Sequence, residues 1–133
     1  MIFVDTSAWF AIYNPSDSHH QQSLKIAKSL QDQNIARVTS NIIITETLTL
    51  ISMRVGKKEA LTLGNMYTAS NLQVVFTDQE LHQKAWEIFQ SIKDKDVSFA
   101  DCSSFAVMEA LGIKKAFSFD EDFKRYGFKL LEV

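Results

Sequence analysis

Residues 1–10 read Met1-Ile2-Phe3-Val4-Asp5-Thr6-Ser7-Ala8-Trp9-Phe10. Ile2-Phe3-Val4 is a continuous apolar run rather than an alternating one, the pattern of a strand buried on both faces. Asp5-Thr6-Ser7 ends it with three residues that all cap helices well. Ala8-Trp9-Phe10-Ala11-Ile12 then reads as one or two helical turns. A strand buried on both sides needs helices over both faces, so this stretch alone predicts an α/β protein with a mostly parallel sheet.

The rest of the chain repeats the alternation. Asn14-Pro15-Ser16-Asp17 carries turn and cap chemistry, and residues 18–33 form an amphipathic helix with Leu24, Ala27 and Leu30 on one face. Ile35 to Thr39 is a second strand. Ser40 or Asn41 caps a helix that runs to about Val55 and stops at Gly56. Lys57 to Ala69 is another helix, and Leu72 to Phe76 a third strand. A helix starts at Thr77-Asp78-Gln79-Glu80, with Leu81, Ala85, Ile88, Phe89 and Ile92 as its apolar stripe. Ser98 begins a helix that ends at Gly112. Ala116 to Phe119 is a strand, Asp120 to Tyr126 a helical turn, and Phe128 to Leu131 a last strand. One domain over residues 1–133 is expected, with no repeat and no low-complexity tract.

Composition narrows the function classes. Hydrophobic residues make up 46% and charged residues 23%, as in globular chains, and four Gly with one Pro argue against a turn-dense all-β fold. The single cysteine, Cys102, excludes an internal disulfide and a multi-cysteine zinc site, and is expected to be a small buried residue. Met1 to Asp5 has no basic segment of the signal-peptide kind and no apolar run reaches bilayer length, so a cytoplasmic protein with no membrane association is expected. Fourteen basic against sixteen acidic residues give a net charge of -2, which on average charge argues against a nucleic-acid partner.

The acids change that reading. Asp5 follows the first strand, where ligands of open parallel sheets bind, although it also suits an N-cap. Asp120 repeats the placement after Phe117-Ser118-Phe119, with Asp122 two residues on. Glu46 has Ile42, Ile43, Thr49 and Leu50 as helical neighbours. A carboxylate on that apolar stripe requires a cation, a hydrogen-bond network or an open cleft. Ser98-x-x-Asp101 is a capping box, and Asp101 is equally a metal-ligand candidate if its helix start points into the same cleft as Asp5. In a parallel sheet all four acids can converge at the C-terminal edge. Such a cluster without cysteine or a histidine set suits Mg²⁺ or Mn²⁺. His19 and His20 could approach a substrate, but all three histidines, His82 included, are read first as solvated helix residues, and Trp9 and Trp86 as core or interface residues rather than base-stacking platforms.

The sequence resembles the PIN domain family, and within it the VapC-like ribonucleases of toxin–antitoxin pairs. The resemblance rests on residues 1–9, on Thr39-Ser40 to Glu46, on Asp96-Val97-Ser98-Phe99-Ala100-Asp101-Cys102, and on Phe117-Ser118-Phe119-Asp120-Glu121-Asp122-Phe123, in that order over nearly the whole chain. It implies a Rossmann-like three-layer α/β/α sandwich. It also implies that Asp5, Glu46, Asp101 and Asp120 are catalytic metal ligands, with Asp122 as substitute or support and Thr6 and Ser7 as supporting hydroxyls. The implied activity is Mg²⁺- or Mn²⁺-dependent hydrolysis of RNA by an activated water. The implied partners are an RNA substrate, a cognate antitoxin and a second copy in a homodimer. Trp9, Phe10, Ile12, Ile51 and Leu61 supply apolar surface for such an antitoxin or, equally, for the core. Two other readings compete: a non-catalytic PIN-like binding module, and a haloacid-dehalogenase-like phosphatase, which Ser7 at the position of the required second Asp argues against. If the four acids hold a cation, the remaining charge is a surplus of bases. Arg54-Lys57-Lys58, Lys114-Lys115 and Lys124-Arg125-Lys129 are candidates to flank the cleft and hold phosphates.

Overall fold

The computed structural model describes residues 1–69 and 71–132. Its elements are β1 (Ile2–Val4), α1 (Thr6–Tyr13), α2 (His20–Asp32), β2 (Arg37–Ser40), α3 (Asn41–Arg54), α4 (Lys57–Ala69), β3 (Leu72–Val75), α5 (Gln79–Ser91), α6 (Phe99–Leu111), β4 (Lys115–Phe117), α7 (Asp122–Tyr126) and β5 (Lys129–Leu130). The strands form one sheet in the order β3-β2-β1-β4-β5 with every neighbouring pair parallel. The expected α/β sandwich is present, and its sheet is wholly parallel where the sequence predicted mostly parallel.

β1 is the central strand, and all three of its residues are buried, which is why that segment reads as an unbroken apolar run. Leaving β1, the chain goes to one side of the sheet for β2 and β3 and later to the other side for β4 and β5. The C-terminal end of β1 is therefore the point where strand order reverses, the usual ligand crevice of open α/β sheets. Helix α1 packs on both α2 and α3, α3 packs on α4, and α6 packs on both α5 and α7.

Helix boundaries follow local chemistry. The side chains of Asp5, Ser40, Asp78 and Ser98 accept backbone N–H groups at the starts of α1, α3, α5 and α6. Gly112 ends α6 at φ 68°, a left-handed conformation that glycine adopts without strain. Two expected faces are corrected. In α2 the buried residues are Ser23, Ile26 and Leu30, while Leu24 is 40% exposed, because α2 meets the core through a narrower stripe. Phe89 on α5 is likewise exposed, beside an exposed Trp86. Trp9 and Cys102 are buried.

Phe105 anchors the core under α6. It is fully buried, with ring centroids 4.4 Å from Tyr126, 5.0 Å from Phe123 and 5.8 Å from Phe128. Phe105→Ala is expected to lower stability by about 3–5 kcal/mol in equilibrium urea unfolding, because three neighbouring rings cannot collapse into the cavity at once. Among the described residues no helix is long and apolar enough to cross a membrane.

Candidate metal centre

Asp5 leaves the end of β1 with its side chain 4% exposed. Its Oδ2 accepts the hydroxyls of Ser7 and Ser118, each at 2.9 Å. Both hydroxyls accept in turn: Ser7 Oγ takes the Phe119 N–H at 2.9 Å, and Ser118 Oγ the Asp120 N–H at 3.0 Å. The turn after β4 is thus fastened to the acid after β1 by two serines whose hydroxyls both lie within hydrogen-bond reach of one carboxylate oxygen and 3.1 Å from each other. Burial pushes the Asp5 carboxyl up to about 6, against the pull of the Ser118 and Ser7 hydroxyls and the Thr6 and Ser7 backbone N–H groups.

Asp101 is brought in by the start of α6. The capping box is formed in full, with Ser98 Oγ accepting the Asp101 N–H at 3.0 Å and Asp101 Oδ2 accepting the Ser98 N–H at 3.4 Å. The cap and the site are therefore served by one residue. Burial, then the charges of Asp5 and Asp120, push its carboxyl up to about 7. Burial also raises Asp120, whose Oδ1 accepts the Asp122 N–H at 2.9 Å. Asp101, Asp120 and Asp122 are half-buried and offer carboxylate oxygens that all lie within 4.8 Å of one another. Asp122 also pairs with Arg125 at 2.8 Å.

An open cavity of about 510 Å³ has Asp5, Glu46, Asp101 and Asp120 on its walls, and Asp122 joins Asp101 and Asp120 from outside that lining. Glu46 is exposed rather than buried on an apolar stripe. α3 turns Ile43, Thr47 and Ile51 inward and leaves Glu46 beside Leu50 and Arg54 on the cavity wall. Of the three environments the sequence allowed for this carboxylate, the open cleft is the one present. The Ser7 hydroxyl serves Asp5. The Thr6 hydroxyl is buried and accepts from Thr47 Oγ1 at 3.1 Å, so it ties α1 to α3.

The donor set suits a hard divalent cation. Three oxygen-bearing side chains cluster at ligand spacing, burial and then the charges of Asp5 and Asp120 raise the Asp101 carboxyl, and no cysteine or histidine sulfur or nitrogen belongs to the cluster. A larger groove of about 1050 Å³ runs along α5 with Asp78, Glu80, Glu87 and Glu109 on its walls. Those acids form no comparable group among the described residues.

Several cavity residues were not legible as such. Ser118, Asp17 and Phe119 line or support the site from positions that meet Asp5 only through the β1–β4 pairing or the loop before α2, whereas His19, already a residue that could approach a substrate, lines the cavity as well. A hydroxyl two residues before Asp120 was the available sign for Ser118. The histidines are not simply solvated. His19 stacks on Phe119, His20 Nδ1 lies 2.7 Å from the Ala11 carbonyl, and His82 rests on Phe99. Of the basic groups proposed to flank the cleft, Arg54 alone lines it. Lys115 and Lys129 are paired at the N-terminal ends of β4 and β5, the opposite edge of the sheet, and Arg125 is held by Asp122.

Comparison with known proteins gives a consistent picture. The PIN domain profile matches residues 2–129. The 23S rRNA-specific endonuclease VapC20 of Mycobacterium tuberculosis is 35% identical over 128 residues, covering 96% of this chain and 95% of that protein. The crystal structure of VapC20, described as a sarcin–ricin loop cleaving toxin, superposes with a TM-score of 0.93 at 32% identity over 100% of both chains. A VapC ribonuclease of Archaeoglobus fulgidus is 30% identical over 122 residues, covering 90% of this chain and 77% of that one. DNA-bound VapBC from Salmonella typhimurium, at 13% identity and a TM-score of 0.72 over 98% of each chain, shares the fold.

Proposed function

We propose, from the premise that this chain belongs to the PIN domain family, that it is a Mg²⁺- or Mn²⁺-dependent endoribonuclease and the toxin of a toxin–antitoxin pair. The observation that carries the reading is the convergence of Asp5, Glu46, Asp101 and Asp120 on one open cavity. With Asp122, these are the residues that would hold the cation. When bound, the cation would supply Lewis acidity toward the scissile phosphate and acidify a water for attack.

The chain's own groups then divide the work. Asp5, locked by two hydroxyls, gives one ligand position that does not move when substrate arrives. Asp101, positioned by its capping box at the start of α6, would supply a second. Asp120 is held in place by the Asp122 N–H. Exposed Glu46, also on the cavity wall, faces solvent. Arg54, the one Lys or Arg side chain among the cavity residues, makes no ion pair or side-chain hydrogen bond among the described residues. Its planar fork is suited to a substrate phosphate.

The activity named for the 35%-identical relative makes 23S rRNA, and the sarcin–ricin loop within it, the first substrate to test. Purified protein incubated with a sarcin–ricin stem–loop RNA is expected to cut it in Mn²⁺ or Mg²⁺ and to leave it intact in EDTA, as read on a denaturing gel. Cutting that persists in EDTA would overturn the metal-dependent reading. The same proposal includes a cytoplasmic location, a homodimer and a small antitoxin. Met53 and Leu61, 81% and 57% exposed on α3 and α4, are apolar side chains that a protein partner would cover. Growth arrest on expression, relieved by the neighbouring upstream reading frame, tests the pairing.

A further inference from the structure

We propose that His19 and Phe119 form a nucleobase platform in the wall of the acidic cavity, where the exposed part of the His19 side chain takes an unstacked base beside the scissile phosphate. This rests on the nuclease reading above and adds to it a site for one base.

The two rings lie with centroids 4.2 Å apart and planes 12° from parallel. Both line the cavity that holds Asp5, Asp101 and Asp120. Neither ring is loosely placed. The Phe119 N–H is held by Ser7 Oγ at 2.9 Å, and its ring meets buried Phe117 edge-on at 6.1 Å. The His19 N–H donates to Asp17 Oδ1 at 2.8 Å, and its Nδ1 lies 3.7 Å from the same oxygen. His19 stands at the N-cap of α2, yet its side chain makes no capping hydrogen bond. One face is covered by Phe119 and one edge faces Asp17, and 47% of the side chain remains exposed for a further ring to cover.

A nuclease that draws a phosphodiester down to a carboxylate cluster pulls the flanking bases out of their stack. Proteins that take single-stranded RNA receive such bases on aromatic and imidazole faces. A pre-stacked pair loses little freedom on receiving a third ring, since both partners are already fixed. The same ring pair also pins the loop before α2 to the turn after β4, and a role limited to that is the competing explanation.

The test uses sarcin–ricin stem–loop RNAs carrying 2-aminopurine at each loop position in turn, bound to the Asp101→Asn protein so that the strand stays intact. One position is expected to be quenched on binding. Adding His19→Ala is expected to remove that quench and weaken binding about 5- to 100-fold, while His19→Phe keeps both, because a ring face is retained without the imidazole. The Mn²⁺-induced rise in melting temperature of the His19→Ala single variant should match that of the wild type, which places the loss in the RNA contact. Unchanged quench and affinity in His19→Ala would overturn the platform, as would a His19→Phe variant that behaves like His19→Ala. Wild-type protein that cuts no RNA in Mn²⁺ would overturn the nuclease reading itself, whereas wild-type cutting with unaltered His19→Ala binding overturns the platform alone.

Discussion

Asp5→Asn is expected to lower RNA cleavage by about 10²–10³-fold or more, abolish most of the Mn²⁺-induced thermal stabilisation, and leave the fold intact or more stable. The three effects share one cause. The amide has the size of the carboxylate, and its carbonyl oxygen can still accept the hydroxyls of Ser7 and Ser118 that now hold Asp5 at 2.9 Å. The fastening between β1 and the turn after β4 therefore survives. What disappears is a charge that burial disfavours. A carboxyl raised from 3.8 to about 6 is ionised at pH 8 against a penalty of up to about 3 kcal/mol, and the amide does not carry it. Metal-free Asp5→Asn should accordingly melt at or above the wild-type temperature at pH 8. Stability given up by the wild type at this position matches the pattern of sites shaped for a ligand rather than for folding. Single-turnover cleavage and melting with and without Mn²⁺ check both halves. A variant that cuts at the wild-type rate would remove Asp5 from the metal site, and one that melts much lower would show that its charge is structural.

What the sequence made legible is what local chemistry decides. The caps at Ser40, Asp78 and Ser98 could be read because a cap needs only residues three or four apart. The central strand could be read because burial on both faces leaves an unbroken apolar run. The four acids could be placed together because a parallel sheet gathers strand ends at one edge. The resemblance supplied the metal-ligand roles proposed for them. Burial that depends on remote packing was not legible. Periodicity put Glu46 on an apolar stripe, but α3 is rotated so that Ile43, Thr47 and Ile51 face the core and Glu46 faces the cavity. The partners of Asp5 were also hidden. Ser118 lies 113 residues away and reaches Asp5 because β4 runs beside β1 in register. The same registry carried Lys115 and Lys129 to the far edge of the sheet. Adjacent basic residues in sequence say nothing about which end of a strand they occupy.

Metal affinity is expected to rise steeply with pH, and the Mn²⁺-induced increase in melting temperature should be small at pH 5 and near its full size at pH 8. In the metal-free fold Asp101 titrates at about 7 and Asp5 at about 6, both above 3.8. The folded state thus binds more protons than the unfolded chain between about pH 4 and 7. The contribution of these two groups to metal-free stability is greatest at the acid end of that window and falls as pH rises through it. A cation needs both carboxylates ionised, so it must displace whatever protons remain. Above pH 7 it displaces almost none. Between pH 6 and 7 it displaces the proton of Asp101, and affinity should change by about tenfold per pH unit. Below pH 6 the proton of Asp5 is added, and Asp120, also raised by burial, contributes as it protonates, so the slope should steepen beyond about tenfold per unit. Melting curves at pH 5, 6, 7 and 8 over a Mn²⁺ titration give the apparent constants through the stabilisation they produce. Replacing Asp101 by Asn removes one of the two protons, so any residual binding should lose the tenfold dependence between pH 6 and 7 while keeping the fall below pH 6. A metal-induced shift that is constant across this range would mean that the bound cation does not compete with these protons. The cluster would then be a structural feature of the turn after β4 rather than a cation site.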